Sequence, residues 1–205
     1  MTAVTQDTTK HQRRQETRRR LIEAALLVFA HQGFERATVD EIVREAGFSK
    51  GAFYVHFESK EDLFWEMLEE RISRQQEAFR QAVDESRPLA ENVRTILTGV
   101  FQLVRDDPLW SSLFVEFAAH ATRNEKVRER LAAMYDRWRA LIVEMLNAGR
   151  EAGRVQKEID PQFIASLLIA VVEGSVMQSR LAPDTVRLDE LVEPLSRTLS
   201  GWLVP

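Results

Sequence analysis

The sequence predicts an all-α fold of about nine helices, and three observations carry that reading. Apolar residues recur at three- and four-residue steps through most of the chain, and no stretch shows the strict alternation that marks a strand. The eight Gly and six Pro of the 205 residues are few and fall between the periodic stretches, as helix punctuation does. Ser, Thr and Asp stand where helix starts need a side-chain cap.

The first helix is expected over roughly 17–31, with Ile22, Ala25, Leu26 and Phe29 on one stripe and Gly33 just past its end as a left-handed stop. Thr38-Val39-Asp40-Glu41 has the form of a capping box, in which the Thr38 oxygen accepts the amide three residues on and Glu41 reaches back to the Thr38 amide. A short helix from Thr38 then buries Val39, Ile42, Val43 and Ala46 and stops at Gly47. After the turn Gly47-Phe48, Ser49 caps a second short helix to about Phe57. Ser59 caps a longer one from Lys60 into the eighties, whose apolar side is Leu63, Phe64, Met67, Leu68, Ile72 and Phe79, until Ser86-Arg87-Pro88 interrupts it.

Downstream, helices are expected at about 89–105, 108–121, 124–151, 161–181 and 187–203, with breaks at Asp107-Pro108, Arg123-Asn124, Gly153, Asp160-Pro161 and Pro183-Asp184. An interior proline costs ~3 kcal/mol, so Pro194 either opens a separate terminal helix or kinks the last one. Two domains are expected, 14–74 and 75–205.

Composition excludes several classes. With 44% hydrophobic and 29% charged residues the chain reads as ordered and globular. It has no cysteine, which removes disulfides, iron–sulfur clusters and thiol nucleophiles and points to a reducing, cytoplasmic location. The apolar run 163–172 is about half the ~20 residues a membrane-spanning helix needs and ends at Glu173, and residues 1–9 are polar, so neither membrane nor secretory signal is expected. His11, His31, His56 and His120 are scattered, and no HExxH or GxxxxGK[ST] spacing occurs, so no metal or cofactor is expected. The net charge of −4 divides unevenly: residues 1–60 carry ten Lys/Arg against eight Asp/Glu, and the remainder eighteen against twenty-four. Lys10, Arg13, Arg14, Arg18, Arg19 and Arg20 stand against Glu16 alone, a basic arm that a polyanion would meet first or that is simply a solvated helix start.

Residues 37–56 have helix-turn-helix spacing: a capped helix of about two turns, a tight glycine turn, and a second short helix with Ser49, Lys50, Tyr54 and His56 outward. Such a motif sends its second helix into the major groove of DNA, where each base pair shows a distinguishable edge. The helix starts at Thr38, Ser49 and Ser59 offer amides suited to phosphate, Lys50 and Lys60 add positive charge, and Gly51 and Ala52 let the backbone lie close to the groove wall. Singly, Thr38, Ser49 and Ser59 would cap any helix, and Tyr54 and His56 would suit a core. Jointly they point to DNA.

The run TVDEIVREAGFSKGAFYVHFESKEDLF at 38–64, with LIEAALLVFAHQGFERATV before it, resembles the TetR family of bacterial transcriptional regulators. The resemblance implies a three-helix DNA-binding head, a variable helical body that binds a small ligand and dimerises, and repression relieved by that ligand. It puts phosphate and base contacts on Thr38, Ser49, Lys50, Gly51, Ala52, Tyr54, His56 and Lys60, and buried anchors on Phe53 and Phe57. Val55 departs from the family pattern where many relatives carry an aromatic or polar residue, so base preference there does not transfer.

In the body, the 161–181 helix is apolar around most of its circumference, as a helix covered on two sides would be. A two-fold homodimer is adopted, with Val171, Gly174, Leu191 and Leu195 at the interface. Phe101, Trp110, Phe114, Phe117, His120, Met134 and Trp138 form an aromatic-rich set that suits a pocket for a small organic effector. The competing reading is that these residues are core, with Glu116 and His120 paired one helical turn apart. The function expected is a repressor that leaves a palindromic double-stranded DNA operator when its effector binds. The alternatives are a DNA-binding activator, a ligand-independent DNA-binding protein and, remotely, a helical enzyme using Glu116 and His120.

Overall fold

The computed structural model describes residues 2–84 and 86–204, with side chains from residue 11 onward. Among the described residues there are nine helices and no strand: α1 (Thr2–Gln32), α2 (Val39–Ala46), α3 (Lys50–Tyr54), α4 (Lys60–Ala82), α5 (Leu89–Asp106), α6 (Pro108–Ala121), α7 (Glu125–Glu151), α8 (Pro161–Leu181) and α9 (Leu188–Leu203). Two differences from the sequence reading stand out. α1 begins at Thr2 rather than Thr17, because its first half is polar and carries no apolar stripe to announce it. α9 runs as one helix through Pro194, with no separate terminal helix. The Lys10 side chain lies outside the described residues.

The chain divides into two compact units. Unit 1 gathers residues 1–73 with 111–127, and unit 2 gathers 74–110 with 128–205. The assignment of 111–127 to unit 1 has no counterpart in the expected division into 14–74 and 75–205.

Unit 1 is built around aromatic rings. Leu21, Ala25, Phe29, Phe34, Ile42, Phe53, Phe57, Leu63, Phe64, Leu113 and Phe117 are all buried. Phe34 lies between the end of α1 and the start of α2, with its ring 5.5 Å from Phe29, 5.1 Å from Phe64 and 5.2 Å from Phe117, in the tilted and edge-on arrangements that ring quadrupoles favour. The chain reaches this position through Gly33, whose φ of +81° is a conformation glycine adopts without strain. A Cβ there would also lie 2.6 Å from the Glu116 carboxylate.

In unit 2, α5 packs on α8 and α9. Leu97, Phe101, Leu188 and Leu199 form a buried cluster, with Leu168, Val172, Leu191 and Leu195 packed against it. A second cluster joins Leu146, Val155, Ile164 and Leu203. Buried Asn92 ties the α4–α5 link by accepting from the Asp84 N–H (3.0 Å) and donating to the Asp84 carbonyl (2.8 Å). Asp160 caps α8 at the Gln162 amide (2.9 Å), with Pro161 in the first turn where no N–H is needed. By length and mean hydropathy (21 residues, 1.3), α8 would suffice to cross a bilayer, which the shorter 163–172 run did not suggest. Its Leu168, Val172 and Val176 pack on the Leu97/Phe101 cluster, and it carries Glu173 and Arg180. Between α7 and α8 the Tyr135 hydroxyl donates to the Glu173 carboxylate. Burial pushes the Glu173 carboxyl above the usual range, and the Tyr135 hydrogen bond offsets part of that rise.

Two outcomes follow for stability. Phe34→Ala should cost about 3–5 kcal/mol in denaturant unfolding, the range for emptying a buried aromatic site, whereas Leu27→Ala, at a side chain 59% exposed, should stay within about 0.5 kcal/mol. A carboxyl with a folded-state pKa above its unfolded value disfavours the native state increasingly as pH rises through that window. Glu173→Gln should therefore match the parent's melting midpoint at pH 4 and exceed it at pH 8, with the Gln carbonyl still accepting from Tyr135.

Candidate nucleic-acid interface

The interface begins with the signals that start and stop α2. Thr38 is extended (φ −121°, ψ 154°) and its hydroxyl oxygen accepts the Glu41 amide at 3.3 Å, while Glu41 Oε2 accepts the Thr38 amide at 2.9 Å, so the expected capping box is present in full. Glu41 Oε2 also accepts from the Thr38 hydroxyl (2.7 Å) and from Gln32 (2.7 Å). Hydrogen bonding, from the Thr38 hydroxyl first, holds the Glu41 carboxyl below the usual carboxylate range. α2 ends at Gly47 (φ +70°), and the Phe48 amide returns to the Val43 carbonyl at 2.8 Å. Arg20 of α1 donates to the Ala46 carbonyl at 2.9 Å and lies 4.7 Å over the Phe48 ring, which fastens the turn to α1.

Ser49 then caps α3 at the Ala52 amide (3.2 Å). α3 is two-sided. Phe53 and, just beyond it, Phe57 are buried, their rings 5.4 Å apart. Ser49, Lys50, Gly51, Tyr54 (57% exposed) and Val55 (62%) face solvent, and Ala52 and His56 are half-buried. The helix is shorter than expected, ending at Tyr54 with Val55 as its cap, where the His56 amide bonds the Phe53 carbonyl three residues back (2.8 Å) and tightens the last turn. Ser59 caps that helix at the Asp62 amide (3.1 Å).

The charges around α3 have specific partners. Lys50 Nζ lies 2.8 Å from Asp40 Oδ1, both side chains more than half exposed, and this contact raises the Lys50 pKa. Burial, then the charges of Arg14 and Arg18, hold the His56 imidazole below its usual range. Lys60 has a different setting from that of an outward phosphate ligand. Its ammonium donates to the carbonyls of Phe34 (2.9 Å), Glu35 (2.9 Å) and Ala37 (3.0 Å) and sits 4.7 Å over the Phe34 ring, so it closes the α1–α2 turn that carries Thr38.

Two further residues shape this unit and were not assigned to it from sequence. Glu116 on α6 accepts the Phe34 amide at 2.8 Å. His120 places Nδ1 3.0 Å from Glu35 Oε2 and Nε2 3.6 Å from Glu61 Oε1. The expected Glu116–His120 pair is therefore replaced by separate contacts to the α1–α2 turn and α4, and the pair on which the enzyme reading rested is gone. No local signal gave this away, since all of these partners lie at least 59 residues distant in sequence.

Of the effector-pocket candidates, Phe101, Trp110, Met134 and Trp138 fall in unit 2 and Phe114, Phe117 and His120 in unit 1. Phe101 is buried in the Leu97 cluster, and Phe117 stacks on Phe64 at 4.4 Å. Trp138 is half-buried, its ring edge-on to Phe79 at 5.7 Å. Of the dimer candidates, Leu191 and Leu195 pack against the Leu97 cluster, Val171 is half-buried, and Gly174 is exposed with open space where a Cβ would point.

Comparison with known proteins agrees with this geometry. Residues 21–67 match the model of bacterial regulatory proteins of the tetR family, and residues 88–204 match that of the BetI-type transcriptional repressor C-terminal domain. The HTH-type transcriptional regulator TtgR of Pseudomonas putida is 31% identical over 85% of this chain and 85% of its own. The HTH-type transcriptional repressor DhaR of a Mycobacterium species is 24% identical over 87% of this chain and 90% of its own. The transcriptional regulator FadR of Bacillus subtilis, solved in complex with stearoyl-CoA, shares the fold with a TM-score of 0.77 at 18% identity, covering 89% of this chain and 97% of that one. A capped α2, a glycine turn and an outward-facing α3 thus lie within a span shared with regulators, and more than half of the chain matches a regulator body: it belongs to the TetR family of bacterial regulatory proteins and is a DNA-binding transcriptional regulator, not an enzyme.

Proposed function

We propose that the protein is a repressor that binds a palindromic operator as a two-fold dimer and releases it when a small organic effector occupies unit 2. The observation that carries the first part is the two-sidedness of α3, which buries Phe53 and exposes Ser49, Lys50, Gly51 and Tyr54 around a fixed turn. On this reading Thr38, Ser49 and Lys50 meet phosphate, Gly51 and Ala52 give close approach, and Tyr54 and His56 reach toward base edges and the adjoining backbone. Lys60 acts by holding the α1–α2 turn.

The dimer reading is supported by an apolar face that unit 2 leaves open: Phe163, Met177 and Leu181 of α8 and Trp202 of α9 are exposed, and Gly174 offers no side chain to hold a partner helix away. The effector reading is supported by the FadR complex with stearoyl-CoA and by the α7–α8 surfaces of unit 2, where Trp138 stands near Phe79 and the Tyr135–Glu173 hydrogen bond supplies polar groups among apolar ones. An effector clears the operator only if it favours the non-binding conformation, by about 5.5 kcal/mol for a shift from 1:99 to 99:1.

Fluorescence anisotropy with duplexes from the region upstream of the gene tests the reading, and the absence of any salt-sensitive, sequence-selective binding would overturn it. Lys50→Ala should weaken binding to all duplexes alike, whereas Tyr54→Ala should change which sequence is preferred. Asp40→Asn removes the carboxylate that holds Lys50 and should tighten binding several-fold at low salt, a gain that fades as salt rises. A small-molecule panel that raises the melting midpoint and lowers DNA affinity together would identify the effector class.

A further inference from the structure

α1 extends well before residue 21, where the match to the tetR-family regulatory domain begins, and this extension is basic. Its arginines are not equivalent. Arg18 pairs with Glu66 of α4 and lies 5.8 Å over the Phe57 ring. Arg19 is held by Glu16 and Glu23 on its own helix. Arg20 is committed to the Ala46 carbonyl and the Phe48 ring. Arg13 and Arg14 are exposed, and among the described residues neither side chain has an acidic partner.

Helical geometry says where this remaining charge points. The stripe that buries Leu21, Ala25 and Phe29 in unit 1 continues toward the N-terminus, at three- and four-residue steps, through Arg18, Thr17 and Arg14. Arg18 on that stripe already touches the corner between α3 and α4 at Phe57. Arg14 is one turn further, about 6 Å along the axis, and it is close enough to His56 at the same corner for its charge to act on the imidazole. The groups facing His56 are thus Arg14 and Arg18 from α1 and the Phe57 ring beside it, with no carboxylate among those that act on it. The Arg14 charge, unlike that of Arg18, has no carboxylate partner among the described residues, and a phosphate would supply one.

We propose that Arg13 and Arg14, together with His56, form a second phosphate-binding seam that grips the DNA backbone beside the stretch read by α3. The seam rests on the DNA-binding reading and deepens it. It is continuous with the exposed face of α3 through His56, its charge complements phosphate, and Arg13 and Arg14 lie on α1, outside the two helices of the helix-turn-helix. It adds affinity without adding sequence preference, and it lengthens the protected backbone beyond the half-site.

The test compares the wild-type chain, R13A/R14A and R13K/R14K on two 30-base-pair duplexes, one selected by the wild type from a random library and one unselected. Each lost phosphate contact lowers the slope of log K against log salt by about 0.9. R13A/R14A should therefore lower the slope by about 2 for each head engaged and weaken binding on the order of tens of fold at 0.1 M salt. It should leave the ratio of the two affinities unchanged, and R13K/R14K should restore the slope. Hydroxyl-radical footprints should lose protection at the flank and keep it at the centre. Ala is a strong helix former, so circular dichroism and melting should match the parent. If the wild type selects no duplex, the DNA-binding reading itself fails. If the wild type binds and R13A/R14A keeps its slope and affinity, or alters the ratio between duplexes, the seam is refuted while that reading stands.

Discussion

The burial of Phe34 is the constraint on which the DNA-binding unit depends. Its ring is fully inaccessible among Phe29, Phe64, Phe117 and His120, its amide is held by Glu116 and its carbonyl by Lys60. Emptying such a site costs about 3–5 kcal/mol, a large share of the 5–15 kcal/mol by which domains are stable. Because the ring cannot leave, α1 must stop at Gly33, the chain must turn there, and Thr38 must emerge where the capping box can start α2. The position of α3 follows from that of α2 through only three residues, Gly47, Phe48 and the cap Ser49, and Arg20 ties this turn back to α1. The orientation of α3 is thus set by an apolar side chain well away from its exposed face.

How much of this was legible in the sequence depended on range. The caps at Thr38, Ser49 and Ser59 and the stops at Gly33 and Gly47 were readable because each is a contact between residues no more than five apart, written as a local pattern. Lys60 was legible as a positive charge near a helix start, but its three carbonyl partners lie 23–26 residues away and leave no periodic trace. Glu116 and His120 fit an i,i+4 pair on paper, and only the folded chain shows that the α1–α2 turn competes for both. The first half of α1 escaped notice for the opposite reason: a solvated polar helix needs no stripe. Phe101 and Phe117 illustrate a deeper ambiguity, since aromatic residues at helical spacing look the same whether they fill a core or line a pocket.

The basic groups on α3 and on the first half of α1 are in two different states of readiness. Lys50 and Asp40 are both exposed, and a surface pair of this kind is worth only about 0–1 kcal/mol, so it orients the lysine yet yields readily to a phosphate. Arg18, Arg19 and Arg20 already have partners: Arg18 and Arg20 join α1 to α4 and to the end of α2, and Arg19 is held within α1. Counting basic residues therefore overstates the electrostatic attraction of the arm. The partners decide which charges are available to DNA.

The way the chain threads its two units bears on how an effector would be felt. The divisions after residues 73, 110 and 127 fall inside α4, α6 and α7 rather than in loops, so each connection is a continuous helix. On the unit 1 part of α6, Glu116 accepts the Phe34 amide, the Phe117 ring lies edge-on to Phe34 and stacks on Phe64 of α4, and His120 Nδ1 lies 3.0 Å from the Glu35 carboxylate. A charge-assisted hydrogen bond contributes about 1.5–3 kcal/mol, less than the roughly 5.5 kcal/mol a full switch requires. Release of Glu116 alone would therefore leave the DNA-binding state well populated. On the proposed function, α6 must move as a body, taking Phe117 from its stack together with the Glu116 contact, for the effector to clear the operator.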